Sequence, residues 1–191
     1  MKKVALFLGS FNPVHIGHLA LCNYIAEYCG VDEVRFVLSP QNPLKHRNDL
    51  LADNLRLEML NIAVEGYSKF KVDEVELHLP LPSYTCVTLR HLVQSEPDVE
   101  FILIMGGDNL DIFRQWREYE WIMSNFHIWV YPRLGASNIV PDDFCNMKCI
   151  KAPIIEVSSS FIRKAISDGH DVRYFLPNSV CNFISEHNLY R

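Results

Sequence analysis

Two histidines three positions apart, His15 and His18, follow an apolar run that breaks at Gly9-Ser10-Phe11-Asn12-Pro13. At that spacing both imidazoles share one face of a first helical turn. Such a turn carries backbone N–H groups without intrahelical partners and the positive end of the helix dipole, so it favours an anion, and phosphate is the natural guest. Gly17, having no side chain, lets a ligand come close to that backbone. Zinc suits His-x-x-His poorly here, because no third ligand lies near and no acidic residue sits between the pair. Other chemistry-bearing residues lie far along the chain. Lys45-His46-Arg47 is a basic cluster, Gly106-Gly107-Asp108 joins two glycines to a carboxylate, and Ser158-Ser159-Ser160 precedes Arg163. An arginine near the positive end of a helix is electrostatically poor unless a polyanion lies between them.

These residues need elements that bring them together. Lys3 to Leu8 reads as a strand, and the helix from Ile16 is stopped by Gly30. Val34 to Leu38 reads as a second strand with Glu33 and Arg35 at its solvated start, which implies a right-handed parallel unit. Its exit, SPQNPLKHR, must then emerge at the carboxyl edge of the sheet, where open parallel sheets hold ligands. Asp49 to Val64 has a helical apolar stripe, Phe70 to Val75 suits a third strand, and Glu76 to Pro82 an irregular connection. Thr85 to Gln94 reads as a helix with Ser83 as its N-cap, and plain capping is enough to explain that serine. Glu100 to Met105 is a buried-type strand ending at the GGD turn, followed by an aromatic-rich helix from Asn109 to Glu120 that carries Trp116. His127 to Tyr131 predicts a fifth strand running out to Arg133, which faces phosphate or water. A short strand over Cys149 to Lys151, a helix from Phe161 to Ser167 stopped by Gly169, and a last helix from Pro177 complete the chain.

The 191 residues are 49% hydrophobic, enough for a single domain over 1–191 that buries roughly 70% of its unfolded surface. A net charge of −5, without a Lys/Arg run, argues against a nucleic-acid-coating surface. The N-terminus lacks the features of a signal peptide and no apolar window has the length of a membrane span, so a cytoplasmic location without membrane association is expected. The six cysteines read as reduced thiols, mostly packing; Cys145-x-x-x-Cys149 has no second pair to complete a metal site. Oligomeric state is left open.

GSFNPVHIGH resembles the G-(G/S)-(T/S)-F-(D/N)-P-x-H-x-G-H signature of adenylyl and cytidylyl transferases with a Rossmann-like fold. Pro82-Ser83-Tyr84-Thr85-Cys86-Val87-Thr88-Leu89, after an acidic residue, narrows the likeness to bacterial nicotinate-nucleotide adenylyltransferases. Val157 to Arg163 is similar to that family's I-S-S-T-x-I-R motif, with Ser160 in place of threonine, so the resemblance spans residues 4 to 190. One departure is that His78 to Leu81 stand where many members carry arginine and glycine.

The resemblance implies an α/β class, an open parallel sheet with helices on both faces, and transfer of the adenylyl group of ATP to nicotinate mononucleotide with Mg²⁺. It implies that His18, His15 and Arg163 act in catalysis. It assigns ATP to Gly9, Ser10, Phe11, His15, His18, Gly106, Asp108, Ser158, Ser159 and Arg163. The mononucleotide falls to Lys45, Ser83, Tyr84, Thr85, Trp116 and Arg133, with Trp116 stacking on the pyridine ring. The rivals are another adenylyltransferase, such as the pantetheine-phosphate enzyme, and a non-catalytic nucleotide sensor.

Overall fold

Alternation along Lys2–Gly9 (β1) buries Val4 and Leu6 on one face and Ala5 and Phe7 on the other, as in a strand covered on both sides. The computed structural model describes residues 1–41 and 50–191. In chain order β1 is followed by α1 (Ile16–Tyr28), β2 (Glu33–Leu38), α2 (Asp53–Val64), β3 (Phe70–Asp73), α3 (Thr85–Ser95) and β4 (Val99–Gly106). Then come the single turn α4 (Gly107–Leu110), α5 (Tyr119–Asn125), β5 (His127–Tyr131), β6 (Met147–Cys149), α6 (Ser159–Ser167) and α7 (Asn178–Glu186).

The strands form one parallel sheet in the order β3-β2-β1-β4-β5-β6. Gly9 pairs with Leu38, Phe7 with Ile104 and Gly106 with Tyr131, so β2, β1, β4 and β5 end level with one another. The order reverses between β1 and β4, which opens a crevice at the carboxyl edge beside Gly9 and Gly106. Helices α1, α2, α6 and α7 pack on the face of Ala5, Phe7 and Phe36, while α3 and α5 cover Val4, Leu6 and Leu103. Among the described residues no helix is long and apolar enough to cross a membrane.

Several boundaries differ from the sequence expectation for local reasons. The α2 helix starts at Asp53, because the extended segment before it lets the Leu51 N–H reach Asn12 Oδ1 at 3.3 Å; Asp49 lies outside the described residues. The third strand ends at Asp73, whose carboxylate accepts from the Val75 N–H and turns the chain into a 3₁₀ segment, Val75–His78. Tyr84, not Ser83, occupies the N-cap of α3, and Ser83 instead donates its N–H to the Gln41 carbonyl at 3.0 Å. The helix expected over Asn109 to Glu120 is broken into α4, a 3₁₀ turn at Phe113–Gln115 and α5, with Trp116 extended and Glu118 at φ 55. The last strand is Met147–Cys149 rather than Cys149 to Lys151, and α6 begins at Ser159. Glu33 is buried rather than solvated, tied to Lys2 at 2.7 Å and Arg35 at 2.6 Å. The cysteines are unbridged; Cys22 and Cys86 pack inside, but Cys145 and Cys149 are exposed.

Candidate active site

The chain leaves β1 through a tight loop. Phe11 takes φ 42, a costly conformation for a bulky residue that the surrounding packing holds in place. Its ring lies edge-on to Phe7 and to His18, with centroids 5.6 and 5.2 Å away. A Cβ at Gly9 would meet that ring at 3.0 Å, so the glycine makes room for it. His15 is the N-cap of α1 and His18 sits in its first turn, the two rings stacked with centroids 3.6 Å apart. The His15 backbone N–H donates to His18 Nδ1 at 3.2 Å. That bond fixes the neutral His18 tautomer with its proton on Nε2, which makes Nε2 a donor. His15 is 4% exposed and its Nδ1 has no partner among the described residues. Burial first, then the positive charge of Arg133, bring its pKa down to about 4, so at neutral pH it offers a hydrogen bond and no charge.

Two arginines hold this loop. Arg56, fully buried on α2, donates to the Ser10 carbonyl at 2.6 Å, the Ser39 carbonyl at 2.9 Å and the Leu51 carbonyl at 3.0 Å. It thereby joins the ends of β1 and β2 to the start of α2. Arg163 on α6 reaches the Asn12 carbonyl at 2.9 Å, and Ser159 Oγ donates to the Pro13 carbonyl, also at 2.9 Å. Ser158 caps α6 by accepting from the Phe161 N–H at 3.1 Å. The α6 N-terminus therefore abuts the α1 N-terminus, with Tyr190 Oη closing over it onto Asn12 Oδ1 at 2.9 Å.

At the end of β4, Asp108 lies in α4 and pairs with Arg133 at 3.6 Å. A Cβ at Gly106 would collide with the Asp108 carboxylate, and one at Gly107 with Asn138 Oδ1, the atom that accepts from the Arg133 N–H at 2.9 Å. Arg133, expected from the sequence to serve the mononucleotide, pairs with Asp108, and its charge acts on His15.

A cleft of about 160 Å³ opens on the other side of β1 and β4, lined by Ser83, Tyr84, Thr85 and Trp116 among the expected residues. Arg117 lies over the Tyr84 ring at 4.9 Å. Trp116 is half-buried against Phe113, and its Nε1 has no partner among the described residues. Glu76, Ser39, Asn109, Gln115 and Tyr131 also line the cleft and were not singled out from the sequence. Tyr131 follows from the strand register, since it ends β5 opposite Gly106, and burial pushes its phenol up to about 12. Glu76 carries no sequence signal beyond being the acid ahead of Pro82-Ser83-Tyr84-Thr85. Lys45 lies outside the described residues.

Residues 6–166 match the cytidylyltransferase-like family model. A Flavobacterium johnsoniae protein named "Probable nicotinate-nucleotide adenylyltransferase" is 42% identical, with 99% of each chain covered. A Bacteroides fragilis protein of the same name is 49% identical, covering 93% of this chain and 89% of its own. A solved Plasmodium falciparum nicotinic acid mononucleotide adenylyltransferase, complexed with NaAD, shares the fold with a TM-score of 0.84 at 19% identity, covering 100% of this chain and 98% of its own. With a crevice at the strand-order reversal, a stacked histidine pair at one helix start and identity of this extent over nearly the whole length, the chain belongs to the nicotinate-nucleotide adenylyltransferase family.

Proposed function

We infer that the chain transfers the adenylyl group of ATP to nicotinate mononucleotide, forming deamido-NAD and releasing pyrophosphate, a step of NAD biosynthesis. The observation that carries this is the placement of two unlike sites across β1 and β4. On one side, the starts of α1 and α6 meet with His15, His18 and Arg163; on the other, an aromatic cleft contains the start of α3. The first suits a polyphosphate, the second a flat ring bearing an anion.

The mononucleotide 5′-phosphate attacks the α-phosphorus of ATP in line, and the bond to the bridging oxygen of pyrophosphate breaks. That nucleophile is ionised at neutral pH, so no general base is needed, and catalysis rests on positioning and charge stabilisation. His18 Nε2 donates to the phosphate oxygens on which charge accumulates. His15 adds a second, uncharged donor. Arg163 and the first N–H groups of α6 hold the outer phosphates, with Ser158 and Ser159 shaping that turn rather than lending their hydroxyls. Gly9, Ser10 and Phe11 form the floor under the triphosphate, and Asp108 beside Gly106 accepts from the ribose hydroxyls. Arg133, near Asp108 and His15, acts where the two substrates' phosphates meet, and Lys45 steadies the mononucleotide phosphate. The named ATP residues offer imidazole, hydroxyl, guanidinium and amide groups with Asp108 as their one carboxylate, a set that addresses phosphate oxygens. Mg²⁺ brought in with ATP would be held by the nucleotide rather than by these residues and would supply partial neutralisation of the phosphate charge.

In the cleft, Trp116 stacks on the pyridine ring, Ser83 orients the entry to α3, and the N–H groups at Tyr84-Thr85 face the nicotinate carboxylate. An amide would turn its own donors toward them. The test is pyrophosphate release with nicotinate and nicotinamide mononucleotides side by side. We expect kcat/KM to favour the acid by roughly 10⁴-fold; equal efficiencies, or no release with the acid, would sink this reading.

A further inference from the structure

Arg117 follows Trp116 along the wall of the aromatic cleft, and among the described residues that line it Arg117 is the one Lys or Arg. Its guanidinium lies over the Tyr84 ring at 4.9 Å, and Tyr84 is the N-cap of α3. The Val87 N–H is the first to close that turn, onto the Tyr84 carbonyl at 2.9 Å, so the N–H groups of Thr85 and Cys86 precede the first bond of the helix. A planar cation and a helix start therefore border one opening. Arg117 Nε is 3.6 Å from Glu118 Oε1, while no hydrogen bond or ion pair among the described residues engages its two Nη atoms. Glu118 does not cancel the charge, because Arg90 takes Glu118 Oε2 at 2.5 Å and two guanidinium groups share one carboxylate. The acid on the cleft wall, Glu76, accepts from Thr88 Oγ1 at 2.6 Å and has no donor to offer an anion in its charged form. An anionic ring entering beside it loses water and needs a cation to offset that cost, and Arg117 is the cation present.

We propose that Arg117 is a specificity-determining residue of the cleft, its open Nη atoms donating to the carboxylate of the pyridine substrate beside the amide donors at the start of α3. This rests on the acid-specific reaction inferred above. The contact with the Tyr84 ring and the ion pair at Nε restrain the guanidinium before substrate arrives, so less freedom is lost when the carboxylate binds. A carboxylate meets the fork with two acceptors. An amide meets it with one acceptor and an N–H₂ that faces a donor, so the same fork rejects it. Both mononucleotides carry the same 5′-phosphate, and a guanidinium that served the phosphate would treat them alike.

Arg117→Met keeps much of the side chain's length without its charge, and Arg117→Lys keeps the charge without the fork. The purified variants are assayed for pyrophosphate release, giving KM for nicotinate mononucleotide, with KM for ATP as an internal control. The inhibition constant of nicotinamide mononucleotide is measured alongside. Arg117→Met should raise the KM for the acid roughly 10- to 30-fold and shift the inhibition constant of the amide by less than about threefold. Arg117→Lys should recover part of the loss on the acid. In the wild type, added salt should weaken the acid more than the amide, because a half-exposed ion pair is screened; this comparison needs no variant. An equal loss on acid and amide in Arg117→Met would mean a phosphate contact or a structural role and overturn the proposal. An unchanged KM for the acid, no recovery with lysine, or parallel salt dependences in the wild type would each overturn it as well. Failure of the wild type to use the acid at all would instead strike the parent reading, and is seen before any variant is made.

Discussion

The Arg163 guanidinium donates to the Asn12 carbonyl at 2.9 Å, joining positions 151 residues apart and setting the start of α6 against the loop that carries the histidine pair. The same side chain approaches Ser160 Oγ at 3.4 Å, so its planar head is oriented from its own helix and from the loop after β1. Replacing it with alanine should lower kcat about 10²- to 10³-fold and raise the KM for ATP. Lysine keeps the charge but loses the fork, and should recover only part of that loss. Steady-state kinetics on the two variants checks this, and near-wild-type turnover for the alanine variant would exclude Arg163 from the phosphate site.

His18 is oriented by a backbone N–H and by Phe7 and Phe11, so its donor is aimed before substrate arrives. His18→Ala should cut kcat about 10²- to 10³-fold and change either KM much less. A decrease under about tenfold in a single-turnover measurement would remove it from that role.

His15 links pH to stability. Its pKa is lowered from 6.5 to about 4 by burial and by Arg133, so the unfolded chain binds a proton on this ring at a pH where the folded chain does not. Its contribution is complete above about pH 6.5 and is lost as pH falls toward about 4, amounting to roughly 3 kcal/mol. Urea midpoints measured down this range should fall more steeply for the wild type than for His15→Gln, which cannot take up the proton. Parallel profiles would contradict the assignment.

Arg56 is a structural clamp whose loss should also reach the site. Arg56→Met keeps much of the length but leaves the carbonyls of Ser10, Ser39 and Leu51 without their donor, at a cost on the order of 3 kcal/mol. Turnover should fall as well, because Ser10 and Ser39 border the phosphate loop and the cleft. Thermal unfolding together with kcat tests both halves; a stable variant with intact kcat would show that the loop holds its shape unaided.

The sheet was readable because each strand is a short apolar run bounded by turn residues, and the register then aligned Gly9, Leu38, Gly106 and Tyr131 without further information. The histidine pair was readable for a similar reason, since three-residue spacing at a helix start has one geometric meaning. The break in the Asn109 to Glu120 region was not, because it depends on Glu118 entering the left-handed region and pairing with Arg90 on α3, a contact across 28 residues. Arg56 was hidden inside an amphipathic pattern that says nothing about which carbonyls a buried guanidinium will find. Glu76 looked like part of a loop, and only the packing of β2 and α3 around it made it an interior acid.

The pair Gly106-Gly107 sets a strict limit on how this chain can vary. A methyl group at the first position displaces Asp108, and one at the second evicts Asn138 from the bracket that holds the Arg133 backbone. In a saturation library these two codons should be the least forgiving of the β4 exit, since any replacement must push those side chains aside, while glycines 30 and 135, with open space where a side chain would project, limit substitution only through their backbone angles.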